Sequence, residues 1–133
     1  MKPSLKKGFS IIELIFVIAV LGIIAAVAVP KLMDTRSSAI VTTIKQDIST
    51  ITTSIQSYYM IHGKIDKISD SVNINTSTWK VDEKKVDFIS EDTICISLSI
   101  DSNKLHVKIN NDSSTVCKKL YESGVRDISY ALY

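Results

Sequence analysis

The chain has 133 residues, 45% of them hydrophobic, two cysteines and a formal charge of +2. That length reads as one small domain on a stalk. Lys2, Lys6 and Lys7 supply three of the 16 basic side chains, so the chain beyond Lys7 holds 13 basic against 14 acidic ones and indicates no nucleic-acid surface.

The first element lies directly behind those lysines. Residues 9–29 read Phe-Ser-Ile-Ile-Glu-Leu-Ile-Phe-Val-Ile-Ala-Val-Leu-Gly-Ile-Ile-Ala-Ala-Val-Ala-Val, with Glu13 as the lone charge between Lys7 and Lys31. As a helix this run rises about 31 Å, the thickness of a bilayer's hydrocarbon core. The leading lysines keep the N-terminus cytoplasmic and send the remainder outward. A carboxylate in such a segment costs roughly 2.5–3.5 kcal/mol at the bilayer centre, so it calls for a function and a partner. A secretory signal with a cleavage site near Ala25-Ala26-Val27-Ala28, or a plain signal anchor, accounts for the apolar run but not for Glu13.

The stretch Lys6-Lys7-Gly8-Phe9-Ser10-Ile11-Ile12-Glu13-Leu14, with Pro30 closing the apolar run, resembles the N-terminus of type IV prepilins and of type II secretion pseudopilins. The resemblance covers residues 1–39. It implies a leader, residues 1–8, removed between Gly8 and Phe9 by a prepilin peptidase that also N-methylates Phe9. It further implies an assembly role for Glu13 and a segment between Gly22 and Pro30 that stretches when subunits pack. Cleavage would expose an amine on Phe9, four residues before Glu13. In a filament the amine of one subunit could meet the Glu13 carboxylate of another, relieving the desolvation of both and fixing an axial register.

Past Pro30, Ile40, Ile44, Ile48, Ile51, Ile55 and Tyr58 recur at helical spacing, with Val41 and Tyr59 widening the stripe. Gly63 stops the helix, with His62 in its last turn. Residues 9–62 read either as one helix or as two broken at Pro30, which lacks an amide hydrogen. The stripe calls for packing against a sheet, since the many Ile and Thr residues disfavour an isolated helix.

Residues 64–93 carry weak periodicity and read as a long connection with short strands at 78–81 and 86–89. Trp79 reads as an anchor pinning this region to the rest of the head. Residues 94–100 alternate with the even positions apolar, and residues 105–109 alternate as cleanly. Asp101-Ser102-Asn103-Lys104 between them predicts a hairpin with one buried face. Ser113, Ser114 and Thr115 are N-cap candidates for a short helix ending near Gly124. Residues 125–133 return as a last strand with Val125, Ile128, Tyr130 and Leu132 available to pack. Cys95 and Cys117, in an oxidising compartment, read as a disulfide worth roughly 3 kcal/mol. The resemblance adds to that pairing, because type IV pilins carry such a C-terminal bridge.

The expectation is an α+β, pilin-like fold: a long N-terminal helix, hydrophobic in its first half and amphipathic in its second, packed on a small antiparallel sheet. Residues 9–29 form the membrane or filament core, 30–62 the amphipathic half and 63–133 the head. No catalytic set, phosphate loop or metal cluster is present in the sequence, so no cofactor and no enzymatic activity is expected. The resemblance implies a type IV pilus subunit, major or minor, for adhesion, motility or DNA uptake. The alternatives are a type II secretion pseudopilin and a membrane-anchored extracytoplasmic binding module. Implied partners are the prepilin peptidase and N-methyltransferase, other pilin or pseudopilin subunits, the inner membrane and its assembly platform. The chain would sit in the inner membrane with its head in the periplasm, then in a pilus or pseudopilus.

Overall fold

Helix α1 runs Ile11–His62 with Pro30 inside it, in a computed structural model that describes residues 7–112 and 114–133. The helix therefore continues through Pro30, although the proline cannot donate to the carbonyl of Ala26. Its start is Ile11, two residues later than the sequence pattern suggested, because Ser10 caps it. Threonines inside α1 are accommodated by donating to the preceding turn, Thr35 to Lys31 O at 2.9 Å, Thr42 to Ser38 O and Thr43 to Ala39 O at 3.1 Å each. At the far end Gly63 takes φ +74°, and its amide returns to Tyr59 O at 2.7 Å. That left-handed residue is the usual glycine stop.

The chain divides into two compact units, one ending at Arg36 and one spanning Ser37–Tyr133. Each holds part of α1. In the second unit the helix is followed by a 3₁₀ turn at Ile68–Asp70 and by strands β1 Trp79–Val81, β2 Lys85–Ser90, β3 Thr93–Asp101 and β4 Lys104–Ile109. Helix α2 Thr115–Glu122 and strand β5 Ile128–Ala131 complete it. The strands form one antiparallel meander in chain order. Val41, Ile44, Ile51 and Ile55 of α1 are buried with Val86, Ile96, Leu98, Leu105 and Val107 of the sheet and Leu120 of α2. Ile40, Ile48, Tyr58 and Tyr59 pack at the margin of this core. The helical stripe is thus the core face.

Three sequence expectations change. The connection from 64 onward is shorter than supposed, because β1 and β2 are full members of the sheet. Short strands score poorly by pattern but are stabilised by pairing with their neighbours. The alternation expected from Ile94 to Ile100 breaks at its start: Ile94 is 42% exposed, while Cys95 and Ile96 are both buried. A bulge causes this. Phe88 pairs with Ile96 and Ile89 with Ile94, which leaves Cys95 without a ladder partner and inverts the faces beyond it. Finally, Ile128 is 47% exposed, since β5 is an edge strand; Leu132, just beyond it, is the residue of this segment that is fully buried in the core.

Trp79 is buried and its Nε1 donates to Asp47 Oδ2 of α1 at 2.9 Å. This is the expected anchor. Two non-glycine pairs, Glu91-Asp92 and Ser102-Asn103, take positive φ at the β2–β3 and β3–β4 turns. Such angles match the twist of two-residue hairpins.

Thr52 is the one α1 residue that buries a hydroxyl without a hydrogen-bond partner among the described residues. Such a group costs about 1–3 kcal/mol. Thr52→Val should therefore raise the unfolding free energy of the detergent-solubilised chain by about 1 kcal/mol in chemical denaturation. A fall in stability would show that the hydroxyl is satisfied.

Candidate processing and assembly site

Along the unit ending at Arg36, large apolar side chains stand exposed on every side of α1, among them Ile11, Phe16, Leu21 and Ile23. By length and composition α1 is able to cross a membrane. A continuous apolar surface of this extent marks contact with lipid or with other protein.

The residues singled out in the sequence lie at the tip of this unit. Lys7, Gly8, Phe9 and Ser10 precede the helix in non-helical, exposed conformation. Ser10 Oγ accepts from Glu13 N at 3.2 Å, and Ser10 O accepts from Leu14 N at 3.1 Å. Ser10 is therefore the N-cap and Glu13 the third helical residue, the Ser-x-x-Glu spacing of a capping box, of which the serine half is formed. The carboxylate stands in the first turn, where the helix dipole favours negative charge. No cation pairs with Glu13 among the described residues. The leader's Lys2 and Lys6 lie outside the described residues.

Gly8 and Gly22 share one property. A Cβ added at either meets nothing within 4 Å, and neither has a positive φ. Gly22 also sits in a helix interior, where glycine costs about 1 kcal/mol relative to alanine. Packing within this chain explains neither, so any requirement for them comes from outside it. Pro30 lies further along the same helix. The fold thus brings Gly8, Phe9 and Glu13 together at one end of α1 and leaves Gly22 and Pro30 in its body.

Cys95 and Cys117 form the expected disulfide in the second unit, with Cα atoms 5.2 Å apart. Cys95 is the bulged residue of β3, and its carbonyl accepts from Asn110 N at 2.8 Å. Of the three cap candidates for α2, Ser114 fills the position, accepting from Cys117 N at 3.2 Å. Ser113 lies outside the described residues. The Ser114 hydroxyl also stands 3.0 Å from Cys117 Sγ, so cap and bridge share one buried cluster. Lys45 Nζ closes the other end of α2 by donating to Ser123 O at 3.0 Å. His62 stacks on Tyr58, and His106 Nδ1 lies 2.7 Å from Ser129 Oγ. Among the described residues no three His, Cys, Asp or Glu side chains cluster as metal ligands.

Ser10 escaped the sequence reading, although Ser10-Ile11-Ile12-Glu13 fits the Ser-x-x-Glu pattern that marks helix starts. The apolar run drew attention to length and charge rather than to the cap.

The model of the prokaryotic N-terminal methylation motif matches residues 3–29. The chain is 27% identical over 123 residues to the type IV major pilin protein PilE of Neisseria gonorrhoeae, covering 92% of this chain and 73% of that one. A fimbrial protein of Neisseria meningitidis serogroup A matches over 123 residues at 27% identity, with 72% of its length covered. A fimbrial protein of Pseudomonas aeruginosa is 38% identical over 52 residues, 39% of this chain and 34% of the relative. No solved structure is a significant match. An apolar helix of membrane length that continues into an α+β unit with a five-stranded meander and a disulfide defines a pilin-like fold. By that fold, the methylation motif and these relatives, the chain is similar to type IV pilins.

Both bridge sulfurs belong to buried residues. Replacing Cys95 and Cys117 by serine should lower the unfolding free energy by about 3 kcal/mol, read by denaturant melts of the oxidised and variant proteins. Equal midpoints would show that the surrounding core holds this region without the bridge.

Proposed function

We propose that the chain is a structural, non-enzymatic subunit of a type IV pilus, cut between Gly8 and Phe9, methylated on the new amine and assembled through the exposed apolar half of α1. One observation carries the reading: Glu13 stands without a cationic partner among the described residues, in a helix half that otherwise offers mostly apolar surface. Its partner in this reading is the terminal amine of Phe9 on a neighbouring subunit. A mere tether needs neither Gly8 nor Glu13. That the relatives are pilins and fimbrial proteins favours a pilus over a secretion pseudopilus.

Before assembly the subunit sits in the inner membrane with the lysine-rich leader inside and the Ser37–Tyr133 unit outside. The prepilin peptidase acts at the cytoplasmic face, and an assembly platform then draws the helix out of lipid into contact with other subunits. Lipid and neighbouring helices are equally apolar, so this transfer costs little for Phe16 or Ile23. It costs much more for Glu13 unless a countercharge meets it.

Glu13→Ala should leave membrane insertion intact and lower incorporation into sheared filaments by roughly tenfold or more. Immunoblots of membrane and sheared fractions read both quantities. Filament yield equal to wild type would contradict the pairing.

A further inference from the structure

Ser10 has a consequence for leader removal, which rests on the processing reading above. We propose that Ser10 is a positioning residue for that cut: its hydroxyl stops α1 at Ile11 and so holds the Gly8–Phe9 bond outside the helix, where a peptidase can reach it.

An apolar segment entering lipid has strong reason to extend its helix, because every unpaired backbone group there costs several kcal/mol. Nothing in the side chain of Phe9 would resist one more turn. Within a helix the scissile amide would be held in the hydrogen-bonded ladder, whereas proteolysis concentrates on exposed segments outside such ladders. The chain meets this conflict at one residue. The Ser10 hydroxyl takes the amide of Glu13 at 3.2 Å, while its own carbonyl takes that of Leu14, so the helix is closed off at its first turn. Lys7, Gly8 and Phe9 remain non-helical and exposed, Phe9 by 86%. Gly8 adds a second barrier, since glycine is a poor helix former and no contact within the chain demands it. Glu13 strengthens the cap from the third helical position by its charge. The acid therefore serves before the cut as well as after it.

The reaction is a hydrolysis. Water adds its oxygen to the Gly8 carbonyl carbon, the bond to Phe9 N breaks, and the products are the Gly8 carboxylate and the Phe9 amine. That amine then stands one residue outside the cap, clear of the helix's own hydrogen bonds.

The test uses the full-length precursor in membrane vesicles with a purified prepilin peptidase, and follows loss of residues 1–8 by mass spectrometry. Ser10→Ala removes the cap and should slow the initial rate about fivefold. Ser10→Gly and Ser10→Asn lack the hydroxyl but suit the N-cap, and should stay within about twofold of wild type. Cα chemical shifts of Phe9 should turn helical in the alanine variant alone, a readout independent of the enzyme. Wild-type rate in the alanine variant would overturn the proposal. So would glycine and asparagine variants as slow as alanine, because the peptidase would then be reading the hydroxyl itself. A wild-type chain left uncut at Gly8–Phe9 would overturn the leader reading and this one with it, whereas wild-type cutting with an indifferent alanine variant overturns this one alone.

Discussion

An acid whose surroundings are apolar must have its charge answered, and among the described residues of this chain no cation answers Glu13. Glu13 is the only ionisable residue between Lys7 and Lys31. Its place in the first turn of α1 lets the helix dipole offset part of its cost. That relief is worth typically 0.3–1 kcal/mol, and up to about 2 where partly buried, against several for burying an unpaired ion. The remainder falls to another group. In the proposed reading Gly8 and Phe9 matter for this reason, because a cut between them would create a cation near the depth of the carboxylate. The exposed apolar surface suits lipid and neighbouring helices alike and sets no register, whereas one charge pair can set it.

Helix α1 presents two different surfaces along its length. Before Arg36 its side chains are exposed all round, suited to lipid or to like helices. Beyond Ser37, Val41, Ile44, Ile51 and Ile55 turn into a protein core. The two halves are correspondingly stabilised by different means. The second depends on the meander, on the Trp79–Asp47 hydrogen bond and on the bridge that ties the β3 bulge to α2. The first has no buried side chain among its described residues, and its helical state rests on backbone hydrogen bonds and the Ser10 cap.

Much of this was legible in the residues, for reasons that differ by element. The Ile40 to Tyr58 stripe could be read because a helix repeats its facing every three or four residues, and the core bears it out. The β3–β4 hairpin followed from alternation on either side of Asp101-Ser102-Asn103-Lys104. Alternation failed at Ile94, since a bulge inserts a residue without leaving a compositional mark. The β2–β3 turn was equally silent: Glu91-Asp92 is an unusual pair for positive φ, where Asn-Gly would have announced a hairpin. Trp79 could be read as an anchor, but Asp47 as its partner could not, because 32 residues separate them. At the N-terminus, Gly8, Phe9 and Glu13 stood out by motif, whereas Ser10 emerged only with the geometry of the cap.

The claim that Glu13 is neutralised between subunits can be measured directly in filaments. Solid-state NMR on pili mixed from two pools, one labelled with ¹⁵N at Phe9 and the other with ¹³C at the Glu13 carboxylate, reports contacts that only separate subunits can make. The account predicts dipolar coupling matching a separation of about 4 Å, the reach of an ion pair. Well-ordered filaments with no measurable coupling between the two labels would contradict it.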